Sequence, residues 1–195
     1  NQLAIAITTV VFNRSALLFA GEDGVAAVSI IMYLQFLCIG IYFGFSMGLS
    51  TPLGYAYGDR NFSVCRVLEK YAYRFFSIAP IILYGCTYLL APIGVRFFAS
   101  PGSTVFDMAV SGMRLYGLGF LFSGINIFAA IRMMTYGKGY ISGMITFLRS
   151  FALLLLFLTI LPRFLELNGI WLAIPAAEIL TLVVALWTLR KKTIA

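Results

Sequence analysis

The chain has 195 residues, 62% of them hydrophobic and only 11% charged, and its mean hydropathy is +0.97. Soluble domains are about 45–50% apolar and about 25% charged, and a surface this greasy would aggregate in water, so a soluble fold is excluded. The net charge of +7, with no histidine, reads as a set of membrane-topology signals, and no nucleic-acid partner is expected.

A helix needs about 20 apolar residues to cross about 30 Å of hydrocarbon. In chain order the sequence predicts six such spans, over residues 3–20, 25–49, 71–91, 109–133, 140–161 and 169–189. The first two are joined by the acidic turn Gly21-Glu22-Asp23-Gly24. The second leads into a polar, basic connection over 51–70 that carries Arg60, Arg66 and Lys70, with Arg74 just inside the third span. Residues 92–107 follow, with Arg96 and the turn Ser100-Pro101-Gly102-Ser103. Arg132 and Lys138 then flank the turn Tyr136-Gly137-Lys138-Gly139. The last connection, 161–168, holds Arg163 and Glu166, and the chain ends in Arg190-Lys191-Lys192 before a short tail. A transmembrane barrel would need strands of alternating hydrophobicity, and the run Phe151-Ala152-Leu153-Leu154-Leu155-Leu156-Phe157-Leu158 does not alternate. The fold class is therefore an all-α membrane protein, with one six-helix unit over 1–195. Lys and Arg gather at the second and fourth connections and at the C-terminus, which places both chain ends in the cytoplasm and the protein in the inner (plasma) membrane.

No catalytic constellation is readable: histidine, a GxSxG elbow and a phosphate-cradling loop are all missing from the sequence. The expectation is a protein that is not an enzyme. Cys38, Cys65 and Cys86 have no metal-ligand spacing, so no metal and no bound cofactor are expected. Transport by such a chain must be secondary or passive, with a proton or a sodium ion as the coupling ion.

Ionisable residues inside spans are costly unless they face a cavity or a partner. Glu178 lies in the last span, three residues after Pro175, whose missing N–H leaves the carbonyl of Trp171 free and is expected to bend the helix. Glu178 is either a proton or cation ligand, or a structural carboxylate bonded between helices. Asn13 and Arg14 lie in the first span. Arg14 stays charged, so it must meet water, a substrate anion or a carboxylate such as Glu178. Gln35 and Asn126 are mid-span amides, either pathway lining or interhelical glue. Gly40, Gly44 and Gly48 repeat at every fourth residue, a pattern that allows close helix approach. Tyr33, Tyr42 and Phe122 could line a cavity for aromatic cations. A short echo links Tyr57-Gly58-Asp59-Arg60 to Tyr136-Gly137-Lys138-Gly139.

Several stretches resemble MATE transporters, the multidrug and toxic compound extrusion family. They are Gly21-Glu22-Asp23-Gly24-Val25-Ala26-Ala27, Gly44-Phe45-Ser46-Met47-Gly48 and the P-x-G-x-x-x-G-x-x-N pattern from Pro52 to Asn61. Gly137-Lys138, Phe147-Leu148-Arg149-Ser150 and the run from Asn168 to Glu178 resemble that family's last three helices. The resemblance implies a twelve-helix, two-lobe exporter of which this chain is the C-terminal lobe. Its partners would be a small-molecule substrate, the lipid bilayer and an N-terminal lobe of the same protein. A chain that opens on Asn1 rather than Met is then a fragment, or else a trimmed complete protein.

By the resemblance the first and fourth spans match helices that carry acidic coupling residues in some members. Here they hold Asn13, Arg14 and Asn126 without a carboxylate, so coupling sits in the other lobe or involves Glu178. The function implied is secondary export of small amphipathic or cationic compounds by proton- or sodium-coupled antiport. The alternatives are a flippase for lipid-linked saccharides of the same superfamily and a non-transporting membrane subunit.

Overall fold

The computed structural model describes residues 2–190. Its helices are α1 (Gln2–Gly58), α2 (Phe62–Arg96), α3 (Thr104–Tyr116), α4 (Phe120–Thr135), α5 (Gly139–Phe147), α6 (Leu153–Ile160) and α7 (Pro162–Arg190). A 3-10 turn over Gly117–Gly119 joins α3 to α4, and a π-helical segment over Leu148–Ala152 joins α5 to α6. Among the described residues, five helical stretches are long and apolar enough to cross a membrane: Ala6–Gly58, Phe62–Arg96, Thr104–Thr135, Gly139–Ile160 and Pro162–Leu189.

Five stretches replace the expected six because the first two spans run on without a loop. At about 1.5 Å per residue, an unbroken helix the length of α1 would be about 86 Å long, far more than a bilayer. The chain doubles back at Gly21, where φ is 61° and ψ is −152°. A methyl group on Gly24 would sit 2.8 Å from the carbonyl oxygen of Ala16, whereas residues eight apart in a straight helix are separated by about 12 Å. α1 is thus two antiparallel arms, and the number of apolar segments remains six. The same device recurs in α7: Glu166 has φ 50° and ψ −130°, and Gly169 comes back against the backbone of Leu161 and Pro162. Gly21 occupies a backbone region open to glycine and strained for any other residue, whereas Glu166 accepts positive φ with a side chain.

The connections are also shorter than expected. The predicted loop 51–70 contracts to Asp59–Asn61, since α1 stays helical through Pro52 to Gly58 and Asn61 caps α2 by accepting a hydrogen bond from the Val64 amide at 3.3 Å. Ser103 caps α3 in the same way, from the Phe106 amide at 3.2 Å. The helices continue beyond the apolar runs into the polar residues that flank them. Pro175 lies within α7, and the backbone of α7 departs from helical φ/ψ at Glu166. Lys191 and Lys192 of the expected C-terminal basic cluster lie outside the described residues.

α3 and α4 form the central post of the bundle, and their stretch is the most buried of the five. α1, α2, α5 and α7 all pack on it. Small residues make this packing close: a methyl group on Gly112 would meet Ile31 at 2.7 Å and Trp171 at 2.8 Å, and one on Gly124 would meet Phe76 at 2.8 Å. By contrast Gly40, Gly44 and Gly48 have nothing within reach. The glycine repeat of the second arm therefore does not mediate packing inside this unit; the glycines of the central post do. The Tyr42 hydroxyl closes the layer by donating to the carbonyl of Phe120 at 3.0 Å.

Replacing Gly21 by alanine should lower apparent stability by about 1–3 kcal/mol, read as a fall in the thermal midpoint of the purified protein. Glu166→Gly, which relieves a positive φ, should leave the midpoint unchanged or raise it.

Candidate functional site

The buried charges arrange themselves in two clusters. In the first, Glu178 is 5% exposed on α7 and receives a forked contact from Arg149, whose Nη2 donates to Oε1 at 2.5 Å and whose Nε donates to Oε2 at 3.4 Å. Asn126, fully buried on α4, donates through Nδ2 to Oε2 at 2.6 Å and to the Glu178 backbone carbonyl at 2.9 Å. Arg149 sits in the π-helical segment. An i→i+5 turn places its residues differently from a regular helix and often marks a functional position; here it sets the guanidinium across the bundle against α7. A planar guanidinium gripping both oxygens of a carboxylate is the strongest geometry available for such a pair. Asn126 Oδ1 is left without a partner.

In the second cluster Glu69 of α2 accepts from Arg132 Nε and, at 2.7 Å, from the hydroxyl of Tyr136, both on its Oε1. The Arg132 guanidinium lies 5.1 Å from the Tyr136 ring centroid, a cation–π distance. The Tyr57 and Tyr136 rings lie 4.5 Å apart, so the two Tyr-Gly turns that echo each other in sequence meet in space. Burial, reinforced by its bond to the Glu69 carboxylate, pushes the Tyr136 hydroxyl up and keeps it protonated. One further donor of this cluster, Arg132 Nη1, has no acceptor.

Of the residues expected to form the site, only Asn126 and Glu178 are in contact. Gln35 is half-buried and accepts from the Tyr116 hydroxyl, tying the second arm of α1 to α3. Asn13 and Arg14 lie apart, in an open groove of about 560 Å³ shared with Leu17, Glu22, Val25, Ala26 and Ser29. Arg14 is exposed, and the Oδ1 of Asn13 is buried without a partner. Arg14 does not meet Glu178. Among the described residues the ion pairs are Arg149–Glu178 and Arg132–Glu69, and each carboxylate already has its arginine on a neighbouring helix. Arg149 and Arg132 were open to sequence reasoning, since both fall inside the expected spans 140–161 and 109–133 and the rule that singles out Glu178 applies to them equally. Glu69 was hidden because the sequence placed it in a polar connection. Cys38, Cys65 and Cys86 are free thiols.

The sequence model of the MatE family matches residues 1–161. The chain belongs to the MatE family. No curated protein matches it. Among solved structures, an inward-facing multidrug resistance MATE family transporter of the MOP superfamily aligns with a TM-score of 0.87 at 22% identity, over 96% of this chain and 44% of that one. An outward-facing multidrug resistance MATE transporter aligns at 0.85 and 23% identity, over 96% and 42%. A MOP superfamily transporter from Pyrococcus furiosus, described as having a binding pocket of reverse polarity that suggests a different function, aligns at 0.86 and 22% identity, over 96% and 42%. At these identities the likeness is one of fold. The MatE chain described here thus has the fold of less than half of such a transporter, a share consistent with one lobe, and is a multi-pass membrane protein.

Breaking the first cluster tests what it does. Glu178→Gln should cost about 3–5 kcal/mol of apparent stability by leaving Arg149 buried and unpaired. Removing both charges together (Glu178→Leu with Arg149→Met) should recover most of that loss. Thermal unfolding of the detergent-solubilised full-length protein reads both.

Proposed function

We propose that this chain is the C-terminal lobe of a twelve-helix exporter that moves small amphipathic or cationic compounds by proton- or sodium-coupled antiport. One observation carries the reading: a unit of MatE sequence matches slightly under half of both an inward-facing and an outward-facing multidrug transporter, with TM-scores of 0.87 and 0.85. A lobe that fits both states moves as a body, and alternating access then arises between lobes around a site at their interface. The two buried ion pairs support rigidity within the lobe, since each fastens separate helices through a charge that hydrocarbon would otherwise reject.

The coupling ion binds in the other lobe on this reading. Both carboxylate oxygens of Glu178 already accept hydrogen bonds, Oε1 from Arg149 and Oε2 from Arg149 and Asn126. The Glu178→Leu, Arg149→Met variant should therefore keep ion-driven transport once its stability is restored.

A flippase for lipid-linked saccharides is the second reading, favoured by polarity. Both carboxylates described above are neutralised by arginine, and the open groove beside the Gly21 turn displays Arg14. Arg14, which shares that groove with Glu22, would be the residue there to meet an anionic substrate.

Uptake of a fluorescent organic cation into inverted vesicles containing the full-length protein distinguishes the two. Uptake driven by an imposed proton or sodium gradient, and abolished by the matching ionophore, is expected for the exporter. No uptake under either gradient from correctly inserted protein would sink it and favour the flippase. The orientation has its own check. In a cysteine-free background, a membrane-impermeant maleimide added to intact cells should label a cysteine placed at Asp23 and fail to label one placed at Lys138.

A further inference from the structure

Arg66, Lys70 and Arg74 follow one another at every fourth residue of α2 and all three are exposed. Residues spaced by four lie on one helical face, so the three cations form a ladder about 12 Å long. The same face continues through Ile78, Ile81 and Ile82, which are 59%, 67% and 59% exposed. Charge thus gives way to pure hydrocarbon within one turn, between Arg74 and Ile78. Arg66, Lys70, Tyr73, Arg74, Ser77 and Ile78 line a shallow groove together with Glu69.

Among the described residues, no ion pair neutralises the ladder. Glu69 is the acidic residue of the groove, and its carboxylate is turned inward to Arg132 and Tyr136. Among the described residues, none of the three cations takes part in an ion pair. Topology alone needs positive charge near this end of the helix, but a topology signal can lie anywhere around the helix and in the adjoining turn. The ladder concentrates it in a single file that runs directly into an apolar file. At 35 residues α2 is also longer than a bilayer requires, so the basic turns stand at headgroup depth and the isoleucines at acyl-chain depth.

We propose that this face of α2 is a binding site for an anionic phospholipid, its phosphate held by Arg66, Lys70 and Arg74 and its acyl chain lying along Ile78, Ile81 and Ile82. Basic pockets beside transmembrane helices recognise acidic headgroups in this way, and the guanidiniums supply paired donors suited to phosphate oxygens. The occupant comes from the bilayer rather than from solution because the charged and apolar parts of the groove are continuous. A soluble phosphate would use only the upper half.

The test is native mass spectrometry of the full-length protein in detergent, supplemented with phosphatidylglycerol or with phosphatidylcholine. Retention of phosphatidylglycerol should exceed that of phosphatidylcholine and should fall about fivefold for each cation removed by Arg66→Gln, Lys70→Gln or Arg74→Gln. Arg66→Lys and Arg74→Lys should keep most of the preference. Removing two charges elsewhere, by Arg96→Gln with Arg163→Gln, should leave it intact. Glycerol phosphate at the same concentration should not displace the lipid. Equal retention of the two lipids, a preference that survives the three substitutions together, an equal loss in the control variant, or displacement by glycerol phosphate would each overturn the proposal. If the triple variant does not fold, the graded loss across the single variants decides.

Discussion

Arg149 and Glu178 meet inside a bundle whose surroundings are hydrocarbon, and the lobe is organised around satisfying that meeting. A lone charge at the centre of a spanning helix costs about 2.5–3.5 kcal/mol even on the gentler insertion scales. Pairing a fork of guanidinium donors with both carboxylate oxygens, and adding the amide of Asn126, supplies most of what water would have supplied. The geometry demands that the π-helical segment, the central post and α7 stand at fixed distances from one another. The Glu69–Arg132–Tyr136 cluster imposes the same demand at the end of α4, where α2 and the end of α1 converge. Two polar fastenings thus hold helices that have no hydrophobic reason to prefer one another over lipid.

Between the fastenings, contact is made by closeness rather than by apolar mass. Lipid tails are as apolar as leucine, so association depends on dispersion and shape. The central post meets this need with Gly112 against Ile31 and Trp171, and Gly124 against Phe76. Large rings fill the space the glycines leave. The outward faces of α1 and α2 carry largely exposed apolar side chains, among them Phe36, Leu37, Ile81 and Leu89. In water such a surface would drive aggregation; in a bilayer it is already solvated.

The same accounting explains the polarity the lobe shows to its surroundings. Its interior carboxylates are spent on interior arginines, whereas Arg14 and the ladder from Arg66 to Arg74 are not. This face of α2 therefore presents positive charge to its surroundings. A ladder that ends abruptly in isoleucine matches the cross-section of a lipid monolayer more closely than that of any soluble ligand.

Class, membrane setting, the number of apolar segments and the family resemblance follow from the sequence by itself, because each depends on one-dimensional quantities: the length of apolar runs, the scarcity of charge, and the order of turns such as Gly21 to Gly24. The individual value of Glu178 and Asn126 was also legible, since a polar side chain at mid-span must be accounted for wherever it points. Partnership was not. Whether Glu178 finds Arg14 or Arg149 depends on which helices are neighbours and how each is rotated, and rotation here is decided by a π-helical segment whose residues, Leu148 to Ala152, carry no distinctive composition. Glycine shows the same division. The regular repeat of Gly40, Gly44 and Gly48 attracts attention and touches nothing, while the irregular Gly112 and Gly124 bring the helices together. Spacing along a chain says which residues share a face; only the tertiary structure decides what that face meets.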